Sequence, residues 1–171
     1  MLAVAIGFGA VTVGQQYWSS PTDPLVGSPE HVRSAELWSM QLPDLDNQAQ
    51  ALNQWQGKIL VINFWAPWCP PCLKEIPDFI RLQDRFGAQG LQFVGIALDD
   101  PDKVSAFVAK SGINYPTLLG NAHATALSYH AGNRLGGIPY TILFDRQGQA
   151  VATLTGGVTE ARLEALLKPL L

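Results

Sequence analysis

Between residues 59 and 86 the hydrophobic pattern changes its period, and both cysteines of the chain sit at the change. Ile59-Leu60-Val61-Ile62-Asn63-Phe64-Trp65 is a near-continuous apolar run of strand length, the pattern of a strand covered on both faces. From Leu73 onward the apolar residues recur at helical spacing, through Ile76, Phe79, Ile80, Leu82 and Phe86. Ala66-Pro67-Trp68-Cys69-Pro70-Pro71-Cys72 joins the two patterns. A strand buried on both faces needs a layer of helix on each side, so this stretch already points to an α/β fold.

The position of the cysteines has chemical consequences. The first turn of a helix presents free backbone N–H groups and the positive end of the helix dipole. A thiolate placed there is stabilised, so its pKa falls and it becomes a nucleophile near neutral pH. Pro70 and Pro71 suit a first turn, where their missing N–H groups would have no partner in any case. Cys69, at the mouth of the helix, is expected to be the exposed, attacking sulfur. Cys72, one turn further in, is expected to be the resolving sulfur. Two cysteines at this spacing can close a short disulfide, which makes reversible dithiol–disulfide exchange possible. Glu75 falls on the same helix face as Cys72. A carboxylate there can accept the thiol's proton, provided that burial raises its pKa.

Three separated motifs carry a resemblance that spans about residues 37–171. They are Trp68-Cys69-Pro70-Pro71-Cys72 with Pro77 beyond it, Gly137-Ile138-Pro139-Tyr140-Thr141, and Phe144-Asp145-Arg146-Gln147-Gly148. Together they resemble the thioredoxin-fold thiol–disulfide reductases of the membrane-tethered TlpA/ResA type. The resemblance implies a thioredoxin-like α/β fold: a central mixed sheet, helices on both faces and a small N-terminal hairpin. It also implies a cis Ile138–Pro139 bond in a loop that faces the disulfide and pairs with an extended substrate strand. It supports Glu75 as the acid. Trp68, Pro70, Pro71, Ile138, Pro139 and Tyr140 are the expected substrate contacts, with Tyr140 shaping the groove. Asn63 stands where ordinary thioredoxins have an acid. It cannot titrate, so it is expected to be a buried hydrogen-bonding residue, with the proton role passing to Glu75. Trp65 is expected in the core.

The rest of the chain organises around this unit. Residues 1–14 carry no charge, and Tyr17 and Trp18 suit a membrane–water boundary. Residues 1–18 read as a membrane anchor or signal-type segment, with retention as an anchor favoured. Residues 19–36 are polar and proline-rich and read as a linker. Residues 37–171 read as the folded domain. Within it, 36–42 is expected to be extended and to lead into a hairpin ending near Trp55. Strands are expected at 91–98, 116–119, 139–144 and 150–155. Helices are expected from about Pro70 to Gly87, from Pro101 to Ser111, over 122–129, and after Thr159 as N-cap. Gly112 is expected to stop the second of these.

Charge and cysteine count exclude some functions. The formal charge is −3 with no basic block, which excludes nucleic acid as a partner. Two cysteines do not make a structural disulfide framework. A metal site would need more ligands, and the three histidines His31, His123 and His130 are scattered. With these exclusions, the resemblance implies reduction of disulfides in partner proteins through Cys69 and Cys72, with no metal or organic cofactor. The expected partners are a disulfide-containing protein and an upstream membrane electron donor. The expected location is the bacterial periplasm or the outer face of the cytoplasmic membrane. Two alternatives stand beside this: a reductase dedicated to cytochrome c maturation, and a copper-assembly module that binds metal through the pair or reduces a copper-site dithiol. A peroxidase-like role is disfavoured, because Cys69 lies in a Cys-x-x-Cys pair.

Overall fold

The computed structural model describes residues 26–27, 29, 32, 34–120 and 122–171. In chain order its elements are β1 (Val26–Gly27), α1 (Ser34–Trp38), β2 (Gln41–Pro43), β3 (Ala49–Ala51), β4 (Ile59–Trp65), α2 (Pro70–Phe86), β5 (Leu91–Ala97), α3 (Pro101–Ser111), β6 (Thr117–Leu119), α4 (Ala122–His130), β7 (Tyr140–Phe144), β8 (Ala150–Thr155) and α5 (Glu160–Leu167). Six strands form one mixed sheet in the order β1-β8-β7-β4-β5-β6, and β2 and β3 form a separate hairpin. β4, β5 and β6 run parallel, while β7 pairs antiparallel with β4 on its other side. All seven residues of β4 are buried, as its apolar run requires.

Alternation along β4 sorts the core into two layers. Leu60, Ile62 and Phe64 face α1, the hairpin and α4, where Leu37, Leu42, Leu118, Ala124 and Tyr140 join them. Ile59 and Val61 face α2 and α5, packing with Phe79, Leu82, Phe86, Leu163 and Leu167. Asn63 and Trp65 share this second face by parity. The sheet therefore has helices on both faces, as expected from the sequence. Gly112 ends α3 with φ +71°, a left-handed conformation that glycine adopts without a Cβ penalty.

Three local expectations change. Residues 36–38 are helical, not extended: α1 covers Ser34–Trp38 and strand structure begins at Gln41. Docking decides this. Leu37 is fully buried, Trp38 packs in a tilted arrangement against Phe144, and the Trp38 indole N–H donates to the Gly148 carbonyl at 3.2 Å. Within the expected linker, Val26–Gly27 adds an edge strand to the sheet by pairing with Thr153 and Leu154. Thr159 does precede α5, but its side chain makes no capping bond. The free N–H of Glu160 is taken instead by Asp78 of α2, at 2.8 Å. Arg81 and Arg85 of α2 also pair with Glu160, tying the two helices together. Among the described residues no helix is long and apolar enough to cross a membrane. Residues 1–18, read as the anchor, lie outside the described residues, as does His31.

Candidate active site

The site forms where β4 hands over to α2. Cys69 is the N-cap residue of α2, with extended backbone (φ −93°, ψ 103°), and Pro70 and Pro71 occupy the first helical turn. The Cys72 N–H donates to the Cys69 sulfur at 3.4 Å, so a free helix-end donor points at that sulfur. This is the electrostatic setting that lowers a thiol pKa at a helix N-terminus. Cys69 and Cys72 are joined as a disulfide, with Cα atoms 5.3 Å apart. One expectation is corrected here: Cys69 is only 3% exposed. Its sulfur is bonded to Cys72, and the Ile138 carbonyl oxygen lies 3.7 Å from it. Cys72 is fully buried, as expected of a resolving sulfur. Trp68, beside Cys69, is 63% exposed. Trp65 is in the core against Phe107.

Glu75 is buried, on the same face of α2 as Cys72. The Asn63 amide donates to its Oε1 at 2.8 Å and the Val158 N–H donates to its Oε2 at 3.0 Å. Burial outweighs both donors and pushes the carboxyl up to about 7. The negative charge of Asp78 adds to the rise. Asn63 also donates to the Thr141 hydroxyl at 3.0 Å. These contacts follow from parity. Asn63 pairs with Thr141 in register across β4 and β7, so both side chains emerge on the α2 face. Glu75 also raises the pKa of the Tyr115 hydroxyl, although burial of that ring is the larger cause.

The Ile138–Pro139 peptide bond is cis, as the resemblance implied. Pro139 is buried and Ile138 partly exposed. Tyr140 does not shape a groove. It is buried, packs with Phe64 on the opposite face of the sheet, and donates from its hydroxyl to the Ala131 carbonyl at 2.7 Å. The reason is again alternation: Thr141 takes the site face, so Tyr140 must take the other. Tyr140 therefore anchors the loop before Pro139 from beneath. Replacing it with phenylalanine leaves the Ala131 carbonyl without its donor and is expected to cost about 1–2 kcal/mol in urea unfolding. An unchanged midpoint would show that the bond contributes nothing.

Sequence reasoning missed three contributors. Thr141 and the Val158 N–H reach the site through register and loop placement, for which the sequence holds no local signal. Asn133 is buried in the loop before Ile138, and its amide donates to the Gly137 carbonyl at 2.9 Å. An asparagine among glycines is a turn signal, and that was the one clue available. Among the described residues no group of three or more His, Cys, Asp or Glu gathers as metal ligands would.

Comparison with known proteins places this geometry. The sequence profile of the AhpC/TSA family matches residues 35–152. A thiol–disulfide oxidoreductase ResA of Halalkalibacterium halodurans is 30% identical over 132 residues, which cover 75% of this chain and 73% of that protein. Among solved structures, a thioredoxin-family thiol:disulfide interchange protein from Chlorobium tepidum aligns with a TM-score of 0.68 and 28% identity, over 77% of this chain and 92% of that one. A DsbF homologue from Corynebacterium diphtheriae aligns with a TM-score of 0.73 and 25% identity, over 89% and 97%. Sequence profile, relative and fold agree with a dithiol pair set at a helix mouth, and the chain belongs to the AhpC/TSA family, alongside its ResA-type thiol–disulfide oxidoreductases.

Proposed function

We propose that this protein reduces disulfides in partner proteins through Cys69 and Cys72. The observation that carries the reading is the Cys72 N–H directed at the Cys69 sulfur, which favours charge on that sulfur once the disulfide is opened. The Cys69 thiolate attacks one sulfur of the partner's disulfide. A mixed disulfide forms, and the partner's other sulfur leaves as a thiolate and takes a proton. Glu75 accepts the proton of Cys72, whose thiolate then attacks the Cys69 sulfur. The bond to the partner breaks and the partner departs as a dithiol, leaving the Cys69–Cys72 disulfide. Two electrons pass to the partner in each cycle, and a second dithiol must restore them.

A carboxyl that titrates at about 7 can both accept and return a proton near neutral pH, which suits Glu75 to this part. Trp68, Pro70 and Pro71 are exposed around Cys69 and, with the partly exposed Ile138, form the surface that a partner meets, while Pro139 is buried and sets the backbone of that loop. We assign residues 1–18 as a membrane anchor on the uncharged run at 1–14. We further propose that residues 37–171 lie on the outer face of a bacterial cytoplasmic membrane, within reach of a membrane electron donor.

Mixing the fully reduced protein with an oxidised disulfide peptide tests the chemistry. One peptide disulfide is expected to be reduced for each Cys69–Cys72 disulfide formed, by thiol titration and mass spectrometry. Reduced protein that leaves the peptide oxidised would sink the reading. Membrane fractionation of the full chain, beside a chain lacking residues 1–18, tests the anchor. Recovery of both in the soluble fraction would remove it.

A further inference from the structure

Leu135 is 91% exposed, more than any other large apolar residue described. It lies three residues before Ile138, whose carbonyl oxygen is 3.7 Å from the Cys69 sulfur. Its exposure is built in. The turn that carries it is closed by the Gly136 N–H donating to the Asn133 carbonyl at 2.9 Å, with Gly136 at φ +61°. From inside, the turn is held by the buried Asn133 amide on the Gly137 carbonyl and by the Tyr140 hydroxyl on the Ala131 carbonyl. Leu135 thus stands out from a turn whose backbone is held at several points. Next to it, a Cβ built on Gly136 or Gly137 would meet nothing within 4 Å beyond its own chain neighbours. The ground between Leu135 and Ile138 is thus bare backbone that another chain can approach closely.

Resting on the reductase reading, we propose that Leu135, on the Ile138 loop, is an apolar contact for an extended segment of the substrate protein, in addition to Trp68 next to Cys69. That segment carries an aliphatic or aromatic side chain within two or three residues of its reacting cysteine. The occupant follows from the chemistry. The partner's sulfur must touch the Cys69 sulfur, so its flanking residues cover what lies nearest. Three residues of chain reach at most about 11 Å, so Leu135 lies within that of Ile138. An extended partner advances about 3.3 Å per residue, so a side chain two or three positions from its cysteine reaches this ground. Trp68, adjacent to Cys69 in the chain, offers a second apolar face. Leu135 thus acts in partner selection, not in the sulfur chemistry.

The test uses the full chain and two synthetic disulfide peptides that differ only in leucine or serine beside one cysteine. The wild type is expected to reduce the leucine peptide about tenfold faster in kcat/KM, the factor given by 1.4 kcal/mol of recovered burial. The Leu135→Ser variant should bring that ratio close to one, and Leu135→Met should restore most of it. Taking a ratio cancels any shared change in folding or redox chemistry. Equal rates for the two peptides in the wild type overturn the inference, as does an unchanged ratio in Leu135→Ser. If the wild type reduces neither peptide, the reductase reading fails and takes the inference with it.

Discussion

Replacing Cys69 with serine should abolish disulfide reduction, with a fall on the order of 10³-fold or more in an insulin-reduction assay. A serine hydroxyl is not ionised by a helix end near neutral pH, and it does not exchange with disulfide sulfur. Cys72→Ser should behave differently. Cys69 then remains at the N-cap of α2, with the residue-72 N–H still directed at its sulfur. It attacks, but nothing resolves the product, so a mixed disulfide with the partner accumulates. Non-reducing electrophoresis separates the two variants: a shifted, thiol-sensitive band for Cys72→Ser and none for Cys69→Ser. A shifted band in the Cys69→Ser variant would reverse the assigned roles. Retained activity in that variant would remove Cys69 from the mechanism.

The second large effect concerns Glu75. Glu75→Gln preserves volume but cannot take a proton, so resolution of the mixed disulfide should slow on the order of 10²-fold near pH 7. The inflection that the carboxyl imposes near pH 7 should disappear from the rate profile. A rate and pH profile matching the wild type would exclude Glu75 as the acid.

Stability provides an independent readout. The folded-state pKa of Glu75 is raised from 4.5 to about 7. Between those values the folded chain holds more proton than the unfolded one. Stability from this group is therefore full below about pH 4.5, falls as pH rises toward 7, and stays low above that. The swing is about 3 kcal/mol. Glu75→Gln should flatten that slope. The variant has a cost of its own, because its amide sets a donor against either the Asn63 amide or the Val158 N–H. That cost does not vary with pH, so the slope is diagnostic and the absolute stability is not. Asn63→Asp should act in the opposite sense. It places a second carboxyl at hydrogen-bond distance from Glu75, and the two would share a proton, which raises one titration further.

Much of this architecture was legible because it depends on neighbours along the chain. The period change from β4 to α2, the prolines at the first turn of α2 and Gly112 at the end of α3 are local signals, and each element formed where the pattern placed it. The cysteine pair and the cis-proline loop were legible through motif resemblance. Sequence could also say that Asn63 would be buried and would not titrate. It could not say what Asn63 would touch.

That was decided by tertiary structure. The contacts that define Glu75 span 12 residues to Asn63 and 83 to Val158, and Asn63 reaches 78 residues to Thr141. Such meetings depend on strand register and on how a helix docks across a sheet. One step of register exchanges the two faces of a strand, which is why Tyr140 went to the core and Thr141 to the site. Docking likewise made residues 34–38 helical, through a buried Leu37 and a Trp38 bonded across the fold. Caps, periods and turns are set by atoms a few bonds apart and survive in the order of residues. The environment that raises a carboxyl to about 7 is assembled from distant segments and exists only once they pack.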